Sequence, residues 1–149
     1  MIMVMKKMIL GILSLLFLAS PAMADDDKPI KVKEMPVAAQ EFIAEHFPGQ
    51  SIAVAKQEGS FIEKNYDIIF TNGNKLEFDR KGIWTNVDCR YGSVPQAIIP
   101  APITEYVKNH FPDGKVKKIE KENRKYEVEL SNDVELKFNN SYELVDVDL

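Results

Sequence analysis

The sequence contains an internal repeat, because residues 35–89 can be laid over residues 99–149 with matching positions throughout. The tripeptide His-Phe-Pro occurs in both segments, at residues 46–48 and at residues 110–112, a separation of 64 positions. Self-similarity at a fixed spacing is the signature of one supersecondary unit used more than once. The repeat therefore predicts two related units within one domain.

Each repeat opens with a predicted helix. A proline stands at the start of both, Pro36 and Pro100, where its missing N–H is not needed and its fixed φ suits the first turn. Each helix is expected to end near the proline of His-Phe-Pro, because a residue before proline disfavours the α region. Apolar or aromatic residues recur at the i, i+3, i+4, i+7 and i+8 positions that form one helical stripe: Ala39, Phe42, Ile43, His46 and Phe47, then Ile103, Tyr106, Val107, His110 and Phe111.

After each helix the hydrophobic pattern changes to a period of two, which is typical of strands with one buried face. Tyr66, Ile68 and Phe70 alternate with the residues between them, and the second repeat shows the same pattern 60 positions later. Asn72-Gly73 then predicts a tight hairpin, because both residues tolerate a positive φ. Each unit is therefore predicted to contain four antiparallel strands after its helix.

These patterns predict an α+β fold: a tandem repeat of a helix plus four antiparallel strands, with both helices packed on one face of an antiparallel sheet. The predicted divisions are an N-terminal linker at 25–34, repeat one at 35–89, a linker at 90–98 and repeat two at 99–149. Because one unit of about 55 residues buries little apolar surface alone, the two repeats are expected to form one structural domain, 35–149. The strands are expected to form one continuous or two abutting antiparallel sheets, whose other face meets solvent.

Residues 1–24 are predicted to be a signal peptide. Lys6 and Lys7 precede an apolar run over residues 8–19, and the small residues Ala22 and Ala24 suit signal peptidase. A membrane-spanning helix needs about 20 apolar residues, which this run lacks. The protein is therefore expected to be periplasmic or secreted after cleavage of residues 1–24, without membrane insertion.

Charge and cysteine content exclude further classes. Without Lys6 and Lys7 the chain has 17 basic residues against 23 acidic ones, a net charge of −6. Binding to phosphate backbones depends on clustered Lys and Arg, so no nucleic-acid partner is expected. Cys89 is the only cysteine, which prevents an intramolecular disulfide. It is interpreted as a buried residue, with an intermolecular disulfide as the alternative.

The sequence resembles a known family. The proline-started helix, His-Phe-Pro, the Asn72-Gly73 turn, Leu76-Glu77-Phe78-Asp79 and Gly82-Ile83-Trp84 are similar to the PepSY-like, β-lactamase-inhibitor-protein-like periplasmic proteins of Bacteroidetes. The resemblance extends over essentially the whole chain after residue 24. It implies a concave sheet and an inhibitor-like or peptide-binding role. The secreted β-lactamase inhibitor that gives the family its name carries disulfides, which this chain cannot form internally.

Catalytic and metal-binding signals are weak. His46 and His110 are the only histidines, and each is predicted in the last turn of a helix, where a cationic ring meets the helix dipole favourably. The sequence has no nucleophile elbow, no His-Glu-x-x-His and no glycine-rich phosphate loop. We therefore expect no enzyme, no cofactor and no metal. A metal-dependent hydrolase that uses the two histidines, and a structural or envelope-stress protein without a dedicated ligand, are the alternatives.

The predicted function is a binding or inhibitor-like module that docks an unknown protein or peptide on the open sheet face. Trp84 and Tyr91 are candidate aromatic anchors, since aromatic residues are enriched in interface hot spots. Trp84 can face either the core or solvent, because it and Val87 lie on opposite faces of a regular strand unless a bulge intervenes. Alternation adds these charged residues to the candidate partner-binding set: Lys75, Glu77, Glu127, Glu129 and Lys137.

Overall fold

The computed structural model describes residues 27–60 and 62–149. The predicted signal peptide, residues 1–24, lies outside the described residues. The segment 25–34, predicted as a linker, contains a short strand and a 3₁₀ turn at Val32–Glu34 among its described residues.

Nine strands of the described residues form a single antiparallel sheet in which the spatial order follows the sequence order. Each strand therefore pairs with its neighbours along the chain. The strands are β1 (Lys28–Pro29), β2 (Ile52–Glu58), β3 (Asn65–Phe70), β4 (Lys75–Phe78), β5 (Trp84–Asp88), β6 (Val116–Glu122), β7 (Lys125–Leu130), β8 (Glu135–Phe138) and β9 (Leu144–Asp148).

The described residues contain two short α-helices, α1 (Val37–His46) and α2 (Ala101–His110). Each begins directly after a proline and ends at the histidine of His-Phe-Pro. A 3₁₀ turn at Gln96–Ile98 leads into α2 from the segment 90–98. The predicted positions of the two helices are thus confirmed.

The predicted fold class was wrong. In place of two helix-plus-four-strand units, residues 27–60 and 62–149 form one nine-stranded antiparallel sheet with only two α-helices, of 10 residues each. β5 pairs with β6 through Asn86↔Glu120 and its neighbours, so the sheet runs without a break across the two sequence segments. β1 adds a ninth strand by pairing with β2. The repeated sequence pattern predicts hairpins between strands that are close in the chain. These two pairings instead join residues about 30 positions apart, for which the pattern contains no signal.

The apolar face of the sheet carries the core. Leu76, Val87 and Leu136 are fully buried on it. The helices lie against this face, because the Phe42 ring of α1 meets Phe78 edge-on at 5.5 Å. The Tyr106 ring of α2 likewise meets Phe138 at 5.6 Å. Burial of each large apolar side chain contributes about 1.5–3 kcal/mol, so this face and its helices account for most of the stability.

A bulge near the start of β5 determines where Trp84 points. Phe78 lies opposite Trp84 while Glu77 lies opposite Asn86, so Thr85 is an extra residue in the ladder. A bulge reverses the alternation of side chains beyond it. Trp84 consequently lies on the same face as Val87, which is the apolar face.

Candidate functional site

The face opposite the helices is lined by charged and polar side chains, and we call it the polar face. Strand pairing places one residue from each of β2 to β9 in register across it, with neighbouring strands about 4.8 Å apart. This central polar row consists of Lys56, Asp67, Glu77, Asn86, Glu120, Glu127, Lys137 and Asp146.

Asp67 is buried within this row, with 2% of its surface exposed. The Nζ atoms of Lys56 and Lys75 each lie 3.9 Å from its Oδ2, too far for hydrogen bonds. Both lysines are closer to other acids, since Lys56 lies 2.7 Å from Glu58 and Lys75 lies 2.9 Å from Glu77. Burial first, and then the hydrogen bond and charge of Glu58, raise the pKa of Asp67 to about 7. Asp67 is therefore a carboxyl group that neighbouring lysines stabilise only in part.

A depression of about 330 Å³ opens beside Asp67, where β5 and β6 separate. The ladder between these strands has its last pair on this side at Asn86↔Glu120, next to the extra residue Thr85. Asn86 is 7% exposed and lines this space. We call it the acidic depression, after the acids among these lining residues: Glu58, Asp67, Glu77, Asn86, Glu120 and Glu122.

Two side-chain oxygens in the acidic depression are buried and have no hydrogen-bond partner within residues 27–60 and 62–149. They are Oδ2 of Asp67 and Oδ1 of Asn86. Buried polar atoms are nearly always paired, because an unpaired one costs about 1–3 kcal/mol. Lys121 also lines the depression, but its Nζ lies over the Trp84 ring, 4.4 Å from the ring centre, and donates to neither of these oxygens.

The part of the polar face that β6 to β9 form is more acidic and more exposed than the part around Asp67. Glu127 stands in the central polar row between Glu120 and Lys137. A hydrogen bond to Glu135 is the largest cause that raises the pKa of Glu127 to about 7, followed by burial. Glu129 lies 3.3 Å from Lys117. This region therefore presents several carboxylates with few compensating cations.

The structure brings together five of the seven predicted partner-binding residues. They lie on the polar face in the central row and the row beside it: Lys75, Glu77, Glu127, Glu129 and Lys137. Trp84 does not join them, because it packs on the apolar side, 6.5 Å from the Phe42 ring. Tyr91 is 81% exposed and lies beside Gly73 of the β3–β4 turn, at one end of the sheet.

The sequence analysis missed the residues that define the acidic depression. Alternation in β3 places Asp67 on the same face as Glu77, and Asp67 also occupies the position 60 residues before Glu127. These two signals could have identified it. Asn86 and Glu120 could not be found in this way, because their proximity depends on the pairing of β5 with β6.

The two histidines lie against aromatic rings, and the cysteine is buried. The His46 ring lies 4.7 Å from Phe42, and His110 stacks on Tyr106 at 4.1 Å while its Nδ1 lies 3.0 Å from the Tyr106 carbonyl oxygen. Cys89 is free and buried, and burial first, then the charge of Asp88, raises the pKa of its thiol to about 11. In the described part of the chain, no three His, Cys, Asp or Glu residues are grouped to hold a metal ion.

Comparisons with known proteins find similar chains that are described as putative periplasmic proteins of Bacteroides. A family model described as "Putative beta-lactamase-inhibitor-like, PepSY-like" matches residues 64–146. A solved "putative periplasmic protein" from Bacteroides vulgatus is 52% identical, with a TM-score of 0.82 over 85% of this chain and 99% of that one. A "putative calcium-regulated periplasmic protein" from Bacteroides thetaiotaomicron is 56% identical, with the same TM-score and coverage.

A second Bacteroides vulgatus structure, of a "putative periplasmic protein of unknown function", is 34% identical with a TM-score of 0.77, over 83% of this chain and 99% of that one. No curated protein matches the sequence. Neither helix in the described residues is long and apolar enough to cross a membrane. These similarities agree in fold and in the periplasmic description of the relatives.

Proposed function

The chain belongs to the PepSY-like, β-lactamase-inhibitor-like family, and from that premise we propose that it is a periplasmic binding or inhibitor-like module. Its partner is a protein or peptide that docks on the polar face. The proposal includes export by the signal peptide at residues 1–24, with cleavage after Ala24.

One observation carries the proposal. Both helices pack on the apolar face, and in the described residues no helix covers the polar face. The charged side chains there are held in register by strand pairing and by ion pairs such as Lys118 with Glu120 at 2.9 Å. A rigid, patterned surface loses little conformational entropy on binding. Strand pairing therefore pre-organises this face for a partner.

The charge of the polar face indicates the chemistry of the partner. Across β6 to β9, seven acids and three lysines face the same side: Glu120, Glu122, Glu127, Glu129, Glu135, Asp146 and Asp148, with Lys118, Lys125 and Lys137. Complementary charge guides association and selects partners. The docking surface of the partner is therefore expected to be basic.

Charge reversal on the polar face tests the proposal. The variant Glu129→Lys with Glu135→Lys should weaken capture of the partner from an envelope extract by roughly tenfold or more, because it replaces two attractive charges with repulsive ones. Capture is quantified by mass spectrometry on immobilised protein at low and high salt. The matched control is Glu41→Lys with Glu45→Lys, which makes the same charge change at exposed positions of α1.

Equal loss of capture in both double variants would show that net charge alone is responsible, and unchanged capture in both would show that the polar face is not the docking surface. Absence of any specifically captured partner with the unsubstituted protein would favour the structural or envelope-stress alternative. The remaining alternative, a metal-dependent hydrolase using His46 and His110, requires a stoichiometric ion, which elemental analysis of the purified protein tests directly. The calcium regulation printed for the Bacteroides thetaiotaomicron relative belongs to that protein, and the described acids of this chain form no group of three to support it.

A further inference from the structure

The acidic depression contains two buried acceptors that lack donors. Oδ2 of Asp67 and Oδ1 of Asn86 come from β3 and β5, and both side chains line the same space. We propose that the acidic depression receives the guanidinium group of an arginine side chain from the partner, an inference that rests on the proposed function.

The ligand must be a hydrogen-bond donor. When Asp67 is ionised, its carboxylate oxygen accepts hydrogen bonds, as the amide oxygen of Asn86 does, so a group that pairs with both has to bring N–H or O–H bonds. Each acceptor that remains unpaired after burial costs about 1–3 kcal/mol. A donor that reaches both oxygens removes this cost, which gives the interaction a driving force beyond simple charge attraction.

The ligand should also be positively charged. Glu58, Glu77 and Glu120 line the depression, and each is paired with a lysine at 2.7–2.9 Å. Glu122 adds an exposed carboxylate at the rim. Because the lysines are held by these glutamates, no lysine in the described residues comes within hydrogen-bond distance of Asp67 Oδ2. Beyond these three pairs, Asp67 and Glu122 provide two further acids against Lys121, so the groups around the depression carry a small net negative charge when Asp67 is ionised.

Guanidinium fits these acceptors better than an ammonium group or a metal ion. It carries five N–H donors in a planar fork, so it can bond to acceptors on two separate strands at the same time. It is also more weakly hydrated than an ammonium, so less solvation is lost when it enters a partly buried site. A divalent ion would need several converging carboxylates, and the described residues provide no group of three.

The test is an NMR titration of the purified protein with Nα-acetyl-arginine amide, beside its uncharged analogue Nα-acetyl-citrulline amide and calcium chloride alone. Arginine amide should shift the Asn86 side-chain amide and the backbone amides of Asp67 and Glu120, while citrulline amide should not. Asp67→Asn should weaken the binding roughly tenfold, because a charge-assisted hydrogen bond is lost. Glu41→Gln is the matched control, since it removes one carboxylate at an exposed position of α1, on the other side of the sheet, and should leave the binding unchanged.

Equal shifts with citrulline amide, no shifts with arginine amide at tens of millimolar, or unchanged binding in Asp67→Asn would each overturn the inference. Calcium shifting the same resonances while arginine amide does not would assign the depression to a metal instead. Asn86→Val offers a second variant that removes the other acceptor while keeping a strand-forming residue. If arginine amide fails but charge reversal at Glu129 and Glu135 still abolishes capture, the proposed function stands and only this inference fails.

Discussion

Strands β5 and β9 occupy equivalent positions in the two repeats. β5 has a neighbouring strand on both sides, whereas β9 is at the edge of the described sheet. Leu76 pairs with Val87 and Phe78 with Trp84, just as Leu136 pairs with Val147 and Phe138 with Leu144, and both strands contain the same bulge. Yet Val87 is fully buried, whereas Val147 is 39% exposed. β5 is followed by β6, while β9 is the last strand of the sheet. The same local sequence pattern thus fixes the pairing register, and the neighbouring strand fixes the burial.

The polar face shows a related difference between Asp67 and Glu127, which stand 60 residues apart at equivalent places in β3 and β7. Asp67 is buried between Lys56 and Lys75, which lie closer to Glu58 and Glu77 than to Asp67. Glu127 is partly exposed and shares a hydrogen bond with Glu135. Both have a pKa raised to about 7, by burial in one case and by a neighbouring carboxyl group in the other. The two sites therefore respond differently to substitution.

Truncation of the two valines should have very different costs. Val87→Ala should lower the free energy of unfolding by roughly 2–3 kcal/mol, because it removes two methyl groups from a fully buried site and leaves a cavity. Val147→Ala should cost less than about 1 kcal/mol, since the side chain is already partly in water. Urea unfolding followed by circular dichroism measures both values. Equal losses would mean that β9 is covered in solution by something beyond the described residues.

Asp67 makes the stability of the fold depend on pH. Its pKa in the folded state is raised from 3.8 to about 7 by burial first and then by Glu58, so between about pH 4 and pH 7 the folded state binds more protons than the unfolded state. Stability from this group is therefore full below pH 4 and is lost as the pH rises through 7. Lys56 and Lys75 offset part of the loss, and Glu77 adds to it.

Asp67→Asn should remove this loss. The variant is expected to be more stable than the unsubstituted protein at pH 8, by roughly 1–3 kcal/mol, and similar to it at pH 4. Thermal unfolding across that range measures the difference. Glu127→Gln should produce a smaller gain of the same sign, because solvent screens the more exposed group. A larger gain in Glu127→Gln would reverse the comparison between the two sites.

A gain in stability from Asp67→Asn would support a role for Asp67 in binding. A buried carboxyl group that lowers stability at neutral pH, and that could be replaced by an isosteric amide, is the kind of residue retained for binding. The same variant is expected to lose arginine binding. Stability and binding would then change in opposite directions at one residue, which a purely structural role does not explain.

Local features of the fold could be predicted from the sequence because their causes are local. The prolines and the apolar stripes placed both helices, and Asn72-Gly73 placed the turn between β3 and β4. The fold class was mistaken because a repeat describes units and not the way they join. The pairing of β5 with β6, and of β1 with β2, brings together residues about 30 positions apart. The alternating pattern contains no signal for either.

The candidate site was predictable to the same degree. Alternation grouped Lys75, Glu77 and Glu129 correctly on one face, because side-chain parity is a local property. It left Trp84 undecided, because one extra residue in β5 reverses parity and no feature of the sequence marks Thr85 as that residue. The acidic depression depends on the same bulge and on the neighbouring strand, so it could be recognised only from the folded chain.

β6 also provides a cation–π contact at the start of β5. Lys121 of β6 lies over the Trp84 ring, whereas Leu144, the residue of β9 equivalent to Trp84, has no strand beyond β9 in the described part of the chain to supply such a contact. A cation above an aromatic face contributes about 0.5–1 kcal/mol when partly exposed. Burial lowers the pKa of Lys121, which shows that desolvation opposes this contribution. The net effect of Lys121→Met alone should therefore be small.

A double-mutant cycle isolates the contact from that opposing cost. Lys121→Met, Trp84→Leu and the double variant should give a coupling of roughly 0.5 kcal/mol in urea unfolding. The matched cycle, Lys121→Met with Leu144→Ala, should give a coupling near zero, because these side chains belong to different regions of the sheet. Comparable coupling in both cycles would mean that Lys121 affects the free energy of unfolding through the whole sheet and not through its contact with Trp84. The closer packing of β5 would then be due to apolar burial alone.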